Sequence, residues 1–369
     1  MTVRLVAMLP VLSFLLGVAI VIYVMEGAVR TVVLPRASRP SLSTAVFQGV
    51  VAAAKFAASR RKRYEDQDAV LSGIAPVGLL AIAISWIILV LIGFSFMFWA
   101  TDPDMGAAGA YGLSGSSITT LGFVPADTVF QQTLAFTEAI LGLLLLTLLI
   151  SYLPSIYSGF QKREQKVALL EVRAGKPPSA AVMLTRFNSI GWMGDLSAEW
   201  LTWESWFAEL EESHTTHASL PWFRSNSPER SWLTSAGAVL DAAAIWTSSV
   251  EGLSASEHAS SRLTIRAGFI SLRRIARSKG IPFDPDPDST DPITIQRSEF
   301  DGVLDELEAA GVSIVDDRDQ AWRDFAGWRV NYDSPLLGLA QLLRVPYAPW
   351  TSDRYPLEMH RPKHNSPRP

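Results

Sequence analysis

Three groupings of side chains in this sequence have the types and spacing to do chemistry. The first is Glu211, His214 and His217 in "ELEESHTTH", spaced three apart, which on a helix share a face and could hold a metal ion. The second is Asp284, Asp286, Asp288 and Asp291 in "FDPDPDSTDP", a carboxylate density of the sort calcium loops use. The third is the hydroxyl-rich stretch "SGSSITTLGFVPAD", Ser114 to Asp127, followed by Glu138 inside a long apolar run. The first lacks the Glu of a "HExxH" zinc-protease signature, and its simpler reading is a solvated helix end where His favours the negative dipole. The second is rich in Pro and lacks the loop Gly, so it reads as an acidic linker. No nucleophile–base pair and no phosphate loop occurs, and the chain contains no cysteine, which removes disulfides and thiolate chemistry. The residues therefore give no positive support to an enzyme. No metal or other cofactor is called for.

The third grouping must be positioned by its surroundings, and these are apolar. Charged residues make up 18% of the chain, against about 25% in an ordinary soluble protein. The shortage is local: between Asp68 and Lys162 the charged residues are Asp102, Asp104, Asp127 and Glu138 alone. Three runs are long enough to cross a bilayer, which takes about 20 apolar residues. They are Leu5–Met25, Ala69–Ala100 and Val129–Tyr157. The first is too long for the apolar core of a signal peptide and is read as a retained helix, residues 1–30. Aromatic residues Phe94, Phe96, Phe98 and Trp99 close the second, as at a membrane interface.

Basic residues set the expected orientation. The segment between the first and second runs carries Arg30, Arg36, Arg39, Lys55, Arg60, Arg61, Lys62 and Arg63, and the third run is followed by Lys162, Arg163 and Lys166. The segment between the second and third runs has no Lys or Arg. Positive residues stay inside. Residues 31–68 are thus expected as a basic cytoplasmic loop, the C-terminal region as cytoplasmic, and the N-terminus and residues 101–128 as outside, in a multi-pass protein of the plasma membrane. The "RRKR" run reads first as a topology signal and second as a contact for anionic lipid.

Residues 105–124 are small and apolar, with no charge after Asp104, which suits a segment that re-enters the membrane. A short helix over Ala107–Thr119 followed by an extended turn at Thr120–Val124 is expected. In this setting "TTLGF" resembles the filter of the pore-loop potassium channels, whose pattern is Thr-Val-Gly-Tyr-Gly. The resemblance covers residues 70–165. It implies that Thr119 caps the pore helix, that Thr120, Leu121, Gly122 and Phe123 take the filter positions, and that four copies enclose the pore as a homotetramer. Backbone carbonyls would then replace the hydration shell of potassium or another monovalent cation, with Gly122 free to adopt positive φ. The pattern breaks at Val124, where the second filter Gly belongs, and at Pro125 after it. A β-branched residue ahead of Pro favours an extended conformation. A relaxed filter, an altered outer site and a pore scaffold that does not conduct all remain open.

Other residues are read beside this one. Glu138 either braces the filter near Ser116, Ser117 or Thr119, adds negative potential for cations, or is a buried carboxyl satisfied by a neighbouring helix. Asp127, with Asp102 and Asp104, either concentrates cations at a pore mouth or is a solvated loop residue. Gly142 is a hinge or a close-packing site, and Pro154 bends the cytoplasmic end of the third helix.

The remainder, residues 161–359, reads as a helical cytoplasmic domain with a tail over 360–369. Amphipathic helices are expected at 179–190, 195–213, 231–250, 259–279, 297–310 and 334–344. Trp200, Trp203, Trp206 and Phe207 form a core stripe. The basic helix with Arg262, Arg266, Arg273, Arg274, Arg277 and Lys279 lies on the inner leaflet or pairs with the acidic linker. The expected fold is all-α, with three transmembrane helices, a re-entrant pore helix and filter loop in residues 69–160, and the helical C-terminal domain. The expected function is a cation channel, with a membrane-anchored scaffold on a degenerate pore fold as the alternative. A membrane enzyme using His214 and His217 is a third reading. Expected partners are further copies of the chain and membrane lipid, with no nucleic acid.

Overall fold

The structure, a computed structural model, describes residues 2–32 and 42–354, with side chains from Met8 onward. Arg36, Arg39 and the tail 360–369 lie outside the described residues. The described chain is helical, with no strand and a single isolated bridge between Val250 and Ile314. It divides into two compact units, Met1–Tyr157 and Ser158–Pro369.

The first unit holds α1 (Thr2–Val32), α2 (Leu42–Ser59), α3 (Tyr64–Ser72), α4 (Ile74–Thr101), α5 (Gly106–Ile118) and most of α6 (Val129–Ala174). Four of its segments are long and apolar enough to cross a membrane: Met8–Val32, Leu42–Ser59, Tyr64–Thr101 and Val129–Ala174. Three of these contain the expected spans, and Leu42–Ser59 is a further candidate by length and composition. Within the expected loop 31–68, Leu42–Ser59 forms a helix, α2. The reason for the difference is compositional. Its apolar residues are mostly Ala and Val, so its mean hydropathy is 1.3 against 2.2 to 2.8 for the others. The basic run after it dominates the local pattern.

α1 lies along α4 at close range. A Cβ on Gly17 would fall 2.3 Å from the Gly93 carbonyl oxygen, so only Gly permits this approach. Ser13 Oγ donates to Phe96 O at 2.9 Å beside it. Trp86, Val90, Phe94, Met97 and Phe98 of α4 form the centre of the core, with Val21 and Val24 from α1 and Leu113 and Ile118 from α5.

The second unit holds the end of α6 and α7 (Ala180–Ser189), α8 (Leu196–Thr216), α9 (Trp232–Ser249), α10 (Ala255–Ser278), α11 (Arg297–Ala309), α12 (Arg318–Arg329) and α13 (Asp333–Leu343). α9 is buried along its whole length, with α7, α10, α12 and α13 packed round it. Trp200, Trp203, Trp206 and Phe207 are buried in this core. At its centre Arg329 donates to Asp241 (2.7 and 2.9 Å), to Asp333 (2.7 Å) and to the Trp350 carbonyl (2.7 Å). Tyr332 donates to Asp241 at 2.8 Å. Burial alone would discharge Arg329, but the two carboxylates keep it charged.

Candidate functional site

The chemistry-bearing residues of the first unit meet where α5 is wedged between α4 and α6. α5 is 13 residues long, about 20 Å at 1.5 Å per residue, shorter than a bilayer crossing. Ser114, on its buried side, ties it to both neighbours. The hydroxyl lies 2.9 Å from the Leu91 carbonyl of α4 and 2.6 Å from Glu138 Oε1 of α6. Glu138 is fully buried, and its Oε2 has no hydrogen-bond partner. The carboxyl thus reaches α5 one turn earlier than expected, at Ser114 rather than Ser116, Ser117 or Thr119. Ser117 instead donates to its own helix at Leu113 O.

The loop after α5 is organised by Ser116. Its carbonyl accepts from Leu121 N (3.1 Å) and Gly122 N (3.3 Å), and its hydroxyl accepts from Val124 N (3.0 Å). Thr119 closes the helix, with Oγ1 donating to Gly115 O at 2.5 Å. Gly122 has φ +69°. Thr120 also has positive φ, +57°, a conformation that costs a non-glycine residue about 1–2 kcal/mol. Leu121 between them keeps a negative φ. Alternation of this kind turns successive N–H groups to one side, here onto Ser116. The carbonyls of Thr120, Leu121, Gly122 and Phe123 receive no donor among the described residues. Thr119, Thr120, Gly122, Leu121 and Phe123 are exposed, the last two at 70% and 65%.

Val124 turns away from this surface. It is half-buried, packs against the α5 side of the core, and does not adopt positive φ. Asp127 is exposed, and its backbone N–H donates to Gln131 Oε1 at 3.1 Å. Gln131 is a residue the sequence reading missed. It is buried, reaches Thr101 at the end of α4 through Nε2 (3.1 Å), and forms a reciprocal cap with Thr128. The signal was present in "TVFQ", a Thr-x-x-Gln capping pattern.

Gly142 is a close-packing site. A Cβ there would lie 3.0 Å from Ile118 Cγ1 and 3.2 Å from the Ile118 carbonyl. Pro154 sits on an exposed face within α6, which continues through it.

The two other groupings are taken up internally. His214 is fully buried, with Nε2 3.2 Å from Arg163 Nη1, Nδ1 3.1 Å from Ser213 Oγ, and its ring edge-on to Trp232. Burial, then the Arg163 charge, holds its pKa well below the usual value. Glu211 pairs with Arg274, and no group of three potential metal ligands converges among the described residues. The acidic linker folds into turns in which Asp284, Asp288 and Asp291 accept from nearby backbone N–H groups. Arg273 of α10 donates to the Pro285 carbonyl in this linker at 3.0 Å, near Asp284 and Asp286. Comparison with protein-family models, with curated proteins and with solved structures finds nothing that matches this chain.

Proposed function

We propose that the chain is one subunit of a membrane channel for potassium or another monovalent cation, with Thr120–Phe123 as the filter segment. In this reading α4 and α6 cross the plasma membrane, and α5 with its loop re-enters from outside. Four copies enclose the axis, and the second unit is cytoplasmic. The observation that carries the reading is the polarity of the loop. The N–H groups of Leu121, Gly122 and Val124 are spent on Ser116 and that of Thr120 on Ser117, while the carbonyls of four successive exposed residues have no donor. Carbonyl oxygens presented in a ring are what strips and replaces a cation's water. In this reading residues 60–63 and the second unit share the cytoplasmic side whether α2 crosses the membrane or lies along it, since α4 and α6 return the chain to the same side. The test is ion flux into vesicles holding the purified protein. Potassium or sodium flux is expected, with loss on Gly122→Ala, because an alanine at φ +69° is strained. Absence of flux, or an unaffected Gly122→Ala, overturns the reading.

One observation favours a non-conducting scaffold as the second reading. The Val124 N–H is tied to Ser116 Oγ and its side chain is half-buried, so the row of exposed carbonyls stops where a longer filter would continue.

A further inference from the structure

The second unit separates its charge. From Arg262 to Lys279 the chain carries six basic residues and no acidic one, whereas residues 299–324 carry nine carboxylates and two arginines. Part of the basic charge is spent inside the fold. Arg274 pairs with Glu211, Arg273 donates to the Asn331 and Pro285 carbonyls, and Lys279 donates to the Ala218 carbonyl. Arg262 and Arg266 are exposed and make no hydrogen bond or ion pair among the described residues. Leu263 beside them is 49% exposed.

α11 carries the complement. Glu306 is exposed and has no ion pair among the described residues. Asn188 Nδ2 donates to the Ala310 carbonyl at 2.8 Å, which seats the end of α11 beside the turn that follows α7. That turn exposes Ile190 (58%) and Trp192 (51%). An aromatic anchor rimmed by carboxylates on one surface, and an apolar residue flanked by arginines on another, have the make-up of two halves of an interface.

Both surfaces are tied to the same turn of α6. Arg173 forms an ion pair with Glu199 at 3.2 Å, and Thr264 of α10 donates to the adjacent Trp200 carbonyl at 2.7 Å. Arg186 of α7 donates to the Val172 carbonyl. Copies anchored in one membrane share one orientation, so surfaces at the same height along α6 are the ones that can meet. A contact between two different surfaces passes from copy to copy and closes into a ring.

We infer that Arg262, Leu263 and Arg266 of one copy dock on Ile190, Trp192 and Glu306 of the next. This rests on the proposed function for copies standing side by side in one membrane, and it needs no conduction. The chain has no cysteine, so introduced cysteines report without background. Two differently tagged full-length chains, Leu263→Cys and Ile190→Cys, are co-expressed and treated with a short bis-maleimide. A cross-link between the two tags is expected, with none between chains of one kind. Adding Arg262→Glu and Arg266→Glu to the first chain is expected to cut the yield at least about tenfold, because like charges then face each other. Glu306→Arg in the second chain is expected to restore part of it. Cross-links mainly between chains of one kind make the contact two-fold and overturn the assignment, as does a yield that ignores the arginines. No cross-link in any pairing also overturns it, and quenching of a fluorophore at Leu263→Cys by brominated lipid then gives this face to the membrane. In a chain carrying both cysteines the ladder of products is expected to end at four. A ladder that ends elsewhere keeps the interface while the four-copy channel reading fails.

Discussion

Ser114 Oγ stands 2.6 Å from Glu138 Oε1, and this contact bolts α5 to α6 inside the apolar core. Ser114→Ala leaves the carboxyl without a partner. A buried polar group so stranded costs about 1–3 kcal/mol, so a clear fall in Tm of the detergent-solubilised protein is expected. Glu138→Gln keeps shape and hydrogen-bonding capacity and is expected to fall less than Glu138→Ala. Equal losses for the two would show that Ser114 contributes nothing.

Thr120 is held at φ +57°. Thr120→Gly removes the Cβ penalty of about 1–2 kcal/mol but frees the unfolded backbone, which takes back roughly 0.5–1 kcal/mol. The expected result is a Tm equal to or slightly above wild type. A marked drop would mean that the Thr120 hydroxyl, rather than the backbone, holds the turn.

The second unit is expected to lose stability in mild acid. His214 stays neutral in the fold, through burial first and then the charges of Arg163, Lys279 and His217, while its ordinary value is 6.5. Below that pH the unfolded chain binds a proton that the native one refuses, so unfolding is favoured as pH falls and the effect vanishes above it. Thermal unfolding between about pH 7.5 and 5 measures the slope, and His214→Gln is expected to flatten it. An unchanged slope in that variant would assign the pH effect elsewhere.

Arg329 holds two buried carboxylates together. Arg329→Met leaves Asp241 and Asp333 without their shared counter-charge, though Tyr332 and Thr294 still donate to them, and is expected to cost about 3–5 kcal/mol, read as a lowered denaturation midpoint of the second unit. A triple change to Arg329→Met, Asp241→Leu and Asp333→Leu is expected to recover part of that loss. Failure to recover any of it would mean that the hydrogen bonds, and not the stranded charges, set the cost.

The position of the N-terminus follows from α2. If α2 lies along the membrane surface, an N-terminal epitope is reached on intact cells. That is the expected outcome, given its mean hydropathy of 1.3 and the exposed Phe56 stacked under Arg60 at its end. An epitope reached only after permeabilisation would make α2 a crossing helix.

Much of the fold was legible where apolar periodicity was strong. The helices expected at 179–190, 195–213, 231–250, 297–310 and 334–344 appear within a few residues as α7, α8, α9, α11 and α13. α10 begins four residues before its expected start, at Ala255, behind a Ser254–Glu257 capping box. α2 and α12 were missed for opposite reasons. α2 hides behind small residues and a charge cluster, and α12, "RDQAWRDFAGWR", is rich in charge and buries only a narrow stripe, Ala321, Phe325 and Arg329. In the candidate site, the spacing of Thr119 to Phe123 located the turn and its glycine. The hub role of Ser116, the positive φ of Thr120 and the Ser114–Glu138 pairing depend on how deeply α5 inserts, which is a tertiary distance that no local pattern encodes.

Every residue of α9 is buried. Its amide protons therefore have no local route to exchange with deuterium, and opening of neighbouring helices exposes it only once they have all let go. The exchange rate of that one helix is a direct gauge of the free energy separating the folded second unit from its fully unfolded ensemble.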